Sequence, residues 1–280
     1  MTIMKQKKIY FDTNVFIEVA DGRISPHSWT EVCKVIPENY HYCVSPLTVI
    51  ELLNSVISGS EQHFHQNRKR LEALIQPGFF TVFDFVRGFM YWSMRNRYYS
   101  VRCEIEWGIY VNIASILWVK NKIDLHSEIT LPFMNGHQKV KLLYSKALEE
   151  VGKSKQGYID FMNNAKNKGQ YSRDKDAWAR GMIHHLKLDE SRLLEVKERF
   201  DATYRFEVCA FKQLKDENYS VGKHDSDLID GQQLCYLSDP DTYFVTQERR
   251  MKEWIKGSPQ LNRIYSVDEL LAKHKEAISR

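Results

Sequence analysis

An apolar run that stops abruptly on a carboxylate constrains this chain more than any other feature. Lys8-Ile9-Tyr10-Phe11 leads straight into Asp12-Thr13-Asn14, as a strand buried on both faces does when its carboxyl end turns into a loop. A strand hidden on both faces needs helices above and below it, so such runs belong to a parallel sheet alternating with helices. The pattern recurs along the chain. A helix is expected near Ser28 to Val35, then a strand from His41 to Val44 that Ser45-Pro46 ends. The helix after it, Thr48 to Ser58, carries Glu51 in its first turn. His65 to Ile75 reads as a further helix, and Phe79 to Phe85 as a third β-rich run.

The middle of the chain reads differently. From about Val86 to Asn218 the composition is strongly helical, with Pro132 as the one proline, and Leu142 to Val151 and Glu190 to Leu214 mix apolar and charged residues at helical spacing. Alternation then resumes with a helix over Ser226 to Leu237, a strand at Tyr243 to Thr246, a short helix over Arg249 to Ile255 and a strand near Ile264 to Ser266. Val267 to Ser279 closes as a helix. The expected class is α/β, with a discontinuous core over 1–85 and 219–280 and a helical insertion over 86–218.

Hydrophobic residues at 43% and charged residues at 27% exclude a disordered chain. A net charge of +4 neither demands nor opposes a polyanionic partner. Five widely spaced cysteines without a Cys-x-x-Cys pair point to reduced, buried thiols, not to a disulfide framework or a zinc knuckle. No apolar stretch reaches the roughly 18 residues of a membrane span. A strand follows the basic Met1 to Lys8 where a signal peptide needs an apolar run, so a cytoplasmic location is expected.

Four acids fall at the carboxyl edge of the proposed sheet: Asp12, Glu51, Asp230 and Glu248. Carboxylates avoid burial unless they are paired or bind a metal. Mg²⁺ and Mn²⁺ favour such oxygen donors, and strand carboxyl ends are where α/β folds hold ligands. A divalent ion held there could drive phosphodiester hydrolysis by water, with no nucleophilic side chain. Each acid also has a plainer reading: Asp12 as a loop residue bonding its own backbone, Glu51 and Asp227 as first-turn helix acids, Glu248 as a surface acid. Asp230 shares a helix face with Asp227, three residues earlier.

Taken together, these residues resemble the PIN-domain nucleases. Asp12-Thr13-Asn14 after the first strand, Glu51 after the second, Asp230 with Asp227 at a helix start, and Val245-Thr246 with Glu248 follow that family's order. The matching parts cover about 5–85 and 223–270. The resemblance implies a PIN-like three-layer fold and an endoribonuclease using Mg²⁺ or Mn²⁺. Asp12, Glu51, Asp230 and Glu248 would be catalytic, with Asp227 beside them as a metal ligand at the rim. Thr13, Asn14, Thr246, Arg249 and Arg250 would meet RNA or single-stranded DNA. The chain departs from the pattern at Glu248, where the family usually has Asp, and in its large helical insertion. An inhibitory protein partner, as many bacterial PIN toxins have, or a homo-oligomer would fit the family.

The alternative is a catalytically weak PIN-like module that binds RNA or protein. A haloacid-dehalogenase-type phosphatase would need an Asp two residues after Asp12, and Asn14 stands there. Arg68-Lys69-Arg70, and the stretch from Lys166 to Arg180 with Tyr171 and Trp178, offer charge and stacking for a single strand. More often such runs are merely solvated helix faces. His184-His185 and His63-x-His65 lack the further ligands of a zinc site.

Overall fold

The computed structural model describes residues 7–83, 86–95, 109, 113, 116–117, 138–224 and 226–278. Five strands form one all-parallel sheet: β1 (Lys8–Phe11), β2 (His41–Val44), β3 (Thr81–Val82), β4 (Thr242–Val245) and β5 (Ile264–Tyr265), in the order β3-β2-β1-β4-β5. The first strand of the chain therefore lies at the centre. All four of its residues are buried.

Alternate residues of the sheet feed separate cores, as the pleat requires. Ile9, Phe11, Tyr42, Val44 and Val245 face one core. It is built with α1 (Thr13–Ala20), α2 (Pro26–Asn39), α3 (Pro46–Ser58) and α4 (Glu61–Ile75). Trp29 of α2 is fully buried there, edge-on to Phe11 and Phe16. Tyr10, Cys43 and Phe244 face the opposite core with Phe89, Phe206, Tyr236 and Met251. Tyr10 stacks on Phe244 at 4.4 Å, and its hydroxyl donates to the Gln233 carbonyl at 2.6 Å. Each large side chain buried in this way contributes about 1.5–3 kcal/mol. The sheet is thus flanked by helices on both faces.

The second flanking layer draws on the middle and later parts of the chain. It contains α5 (Val86–Ser93), α9 (Asp201–Gln213), α10 (Ser226–Leu234) and α11 (Arg249–Trp254), while α6 (Gln138–Asn167), α7 (Lys175–Leu186) and α8 (Leu193–Arg199) pack farther out. α12 (Val267–Ile278) returns to the first layer through Val267 and Leu270. Within 86–218 the described residues form helices and turns and no strand. Phe89 and Phe206 from that segment join the sheet's own core.

Several local expectations shift. The loop expected after Asp12 is helix α1, which begins at Thr13 and has Asp12 as its N-cap residue. Helix α3 starts at Pro46, capped by the Ser45 hydroxyl accepting from the Leu47 amide. Proline is pre-shaped for a helix's first residue, so Glu51 falls in the second turn, not the first. The third strand is short, with Phe83 N donating to the Val44 carbonyl at its end.

Cys33, Cys43, Cys209 and Cys235 are free thiols. Cys43 and Cys235 are buried, Cys33 and Cys209 half-buried, and Cys103 lies outside the described residues. Among the described residues no helix is long and apolar enough to cross a membrane.

Candidate active site

The carboxyl edge of the sheet opens into a pocket of about 530 Å³. Asp12, Glu51, Asp230 and Glu248 all line it, with Thr13 and Asn14 between them. Four residues spread over more than two hundred positions meet because β1 and β4 are hydrogen-bonded neighbours and α3 and α10 flank them.

Asp12 leaves β1 where its amide donates to the Val245 carbonyl at 2.9 Å. Although it is the N-cap residue of α1, its side chain makes no capping bond. The carboxylate accepts instead from the Thr246 hydroxyl at 2.9 Å and from Asn14 Nδ2 at 3.3 Å. Its plainer reading, a loop carboxylate bonding its own backbone, does not describe it. Thr246 is buried and also accepts from the Glu248 amide at 3.0 Å, so one hydroxyl ties the two acidic strand ends together. Glu248 repeats the pattern of Asp12. It is the N-cap residue of α11 with no side-chain cap, and Asn14 Nδ2 approaches its Oε2 at 3.4 Å. Glu51 is exposed at the pocket mouth.

Asp12 is 2% exposed and Asp230 is 8% exposed. Burial, then the charges of Glu51 and Glu248, push the Asp12 carboxyl up to about 6 against the pull of Thr246 and Gln233. Burial, then Asp12 and Glu248, push Asp230 up to about 8, with Arg250 opposing. Both are the signature of like charges crowded in a sheltered site.

A pH dependence follows. In the unfolded chain both carboxyls titrate near 3.8, so below that value both states are protonated and neither acid strains the fold. As pH rises the unfolded chain releases its protons first, while the fold holds them to about 6 and about 8. The metal-free protein is therefore expected to lose stability steadily through that window. Thermal melts in EDTA check this, and a profile that is flat, or that rises, between pH ~5 and ~8 contradicts it.

Asp227 does not sit at the rim. Its side chain is wholly buried and lines a separate cavity of about 410 Å³, not the acid pocket. Tyr219 OH donates to one of its oxygens at 2.9 Å, and Arg250 Nη2 to the other at 2.7 Å. Arg250 is the hub of the site. The same Nη2 lies 3.5 Å from Asp230 Oδ2, and Nε faces Glu248 Oε1 at 3.5 Å without a hydrogen bond. Its guanidinium also covers the Trp254 ring, 4.9 Å from the centroid. Arg249 is exposed and does not line the pocket.

No protein-family model matches the chain, and no curated protein or solved structure matches it. The site therefore stands on its own geometry.

The donor set suits a hard divalent ion. Four carboxylates face two cations, Arg250 and Lys155, in the pocket lining. Gln233 is 2% exposed; its amide N–H bonds Asp12, and its Oε1 is buried with no partner. An orphaned acceptor of this kind beside the acids suits a hydrated ion or a substrate hydroxyl. Among the described residues no group of three or more His, Cys, Asp or Glu side chains is gathered tightly enough to hold a metal as it stands. Repelling carboxylates spread around a guanidinium have that form.

Gln233 and Lys155 were missed from the sequence. Gln233 follows Asp230 by three residues on the same helix, a spacing that could have marked it. Lys155 comes from α6, and no local signal identifies it. Several members of the two basic stretches are engaged within the fold. Arg68 pairs with Glu72, Arg70 bonds Asn67, and the Lys166 ammonium is spent on carbonyls of 216–219. Trp178 is buried, its indole N–H donating to Glu207, which Arg173 also grips.

Proposed function

We propose that this protein is a divalent-metal-dependent endoribonuclease with a PIN-like catalytic core, acting in the cytoplasm on RNA. The observation that carries the reading is the meeting of Asp12, Glu51, Asp230 and Glu248 in one pocket at the carboxyl edge of a parallel sheet. Asp12 and Asp230, with Glu248 and Glu51 nearer the mouth, would hold Mg²⁺ or Mn²⁺. When bound, such an ion supplies a water acidic enough to attack at neutral pH and positive charge for the phosphoryl oxygens. Thr246 keeps the Asp12 carboxylate aimed into the pocket, and Asn14 fixes the spacing of Asp12 and Glu248 from the side. Arg250 and Lys155 meet the charge of the nucleic-acid backbone at the wall.

Labelled RNA incubated with the purified chain should be cut with Mn²⁺ and left intact with EDTA. Glu248→Gln is expected to slow cleavage by about tenfold, less than a change at Asp12, because Glu248 is half-buried while Asp12 is enclosed. RNA that binds but is never cut at any Mn²⁺ concentration would establish the alternative, a binding module. One observation favours that second reading: an internal arginine already engages Asp227, Asp230 and Glu248.

A further inference from the structure

We infer that Arg250 is a resident counter-cation of the acid pocket, competing with a divalent ion for Asp230 and Glu248 while remaining tethered to Asp227. The inference deepens the metal-dependent reading above and rests on it. Its ground is the inequality of Arg250's contacts. Toward Asp227 the guanidinium makes a hydrogen bond of 2.7 Å, whereas toward Asp230 and Glu248 it stands at 3.5 Å. The strong contact lies outside the acid pocket, since Asp227 lines the other cavity and not this one. The two weak contacts lie inside.

Asp227 is equipped as an anchor. Its side chain is fully enclosed, its second oxygen is occupied by Tyr219 OH at 2.9 Å, and Trp254 supports the guanidinium it holds. An arginine keeps its charge at any relevant pH, so the pocket always contains a cation that an entering ion must repel. Contacts at 3.5 Å yield first; the hydrogen bond to Asp227 does not. Independently, Gln233 of the pocket lining holds a buried Oε1 with no partner, a hydrogen-bonding need beside the acids that Arg250 does not meet. On this account Asp227 is a positioning residue that acts through Arg250 and is not a metal ligand.

The test is a calorimetric Mn²⁺ titration of the full chain and three variants, with no nuclease assay involved. Arg250→Met should tighten Mn²⁺ by about tenfold or more, because an opposing charge within ~4 Å is gone. The same variant should melt earlier without metal and gain more from it. Asp227→Asn frees Arg250 to turn fully onto Asp230 and Glu248, so it should weaken Mn²⁺. The double variant decides the role of Asp227: it should bind Mn²⁺ as tightly as Arg250→Met alone. If it binds more weakly than Arg250→Met, Asp227 is a ligand and the inference is overturned. Wild-type binding with no tightening in Arg250→Met overturns it too, leaving the metal-dependent function intact. No Mn²⁺ binding by any of the four proteins removes both. Should Arg250→Met fail to fold by circular dichroism, Arg250→Lys takes its place. A point charge cannot bridge three carboxylates as a planar guanidinium does, so tightening of about threefold is expected and its absence is equally decisive.

Discussion

Replacing Asp12 with Asn is expected to remove RNA cleavage and, in the same protein, to raise the metal-free melting temperature. The two effects share one cause. Asp12 is enclosed beside Glu248 and within the field of Glu51, and its carboxyl is pushed from 3.8 up to about 6. Holding it ionised at neutral pH therefore costs the fold roughly 3 kcal/mol if the neighbouring acids are ionised as well. Coupling among the acids lowers that figure, so a gain of about 1–3 kcal/mol is the expected range. Asn keeps the size of the side chain and an oxygen for the Thr246 hydroxyl, so the link to β4 survives. It removes the charge that a divalent ion needs. Cleavage should fall on the order of a thousandfold, the scale of losing a charge-stabilising group in a sheltered site. Mn²⁺ should stabilise the wild type more than the variant, in line with its preference for the folded form. Parallel melts and cleavage assays of nuclease-free preparations measure both effects. Wild-type cleavage by Asp12→Asn ends the metal-nuclease reading.

Asp239→Ala is expected to destabilise the protein by about 3–5 kcal/mol, the cost of breaking a buried ion pair on one side only. Asp239 lies at the opposite, amino edge of the sheet. Lys8, the first residue of β1, reaches it at 2.5 Å, and the pair is almost wholly buried. Burial alone would raise the Asp239 carboxyl. The Lys8 ammonium, the Asp241 amide and the Thr242 hydroxyl outweigh it and hold the carboxyl below the usual range. Arg263 clamps the same turn through the carbonyls of Leu237, Asp239 and Thr242. With Asp239 gone, a lysine remains buried against the start of the central strand pair. Adding Lys8→Met should recover a large part of the loss, since a well-packed apolar pair often matches a buried ion pair. Urea unfolding of the two single variants and the double gives the answer. A loss below about 1 kcal/mol for Asp239→Ala would show that the pair contributes little to joining β1 and β4.

What could be read in the sequence was local. Ile9, Tyr10 and Phe11 announce a strand buried on both faces, and Tyr243 to Val245 do the same, because burial on two sides removes the polar alternation an exposed face would show. The acids at their ends could be found for that reason. Helix α1 is hidden because Thr13 and Asn14 look like loop residues, yet Asp12 at the cap and Val15, Phe16 and Val19 behind it carry a helical spacing. Arg250 could be placed near the acids from the sequence. That it bridges three of them depends on how α11 packs against α10, which no window of sequence contains. Trp178 is ambiguous for a related reason: its charged neighbours fit an exposed face, while the partners of Arg173 and Lys175 lie in α9, some thirty positions away.

The central position of β1 orders events during synthesis. Its neighbour β2 follows within some thirty residues, but its other neighbour, β4, is made only after position 241. Until then one edge of the first strand has no hydrogen-bonding partner, and such an edge readily pairs with other chains. The Thr246–Asp12 bond spans 234 positions, so the acid pocket is among the last features to assemble. Contacts of this separation slow folding. A nascent chain in which Glu248 has not yet joined Asp12 therefore carries no finished acid pocket, whatever that pocket holds.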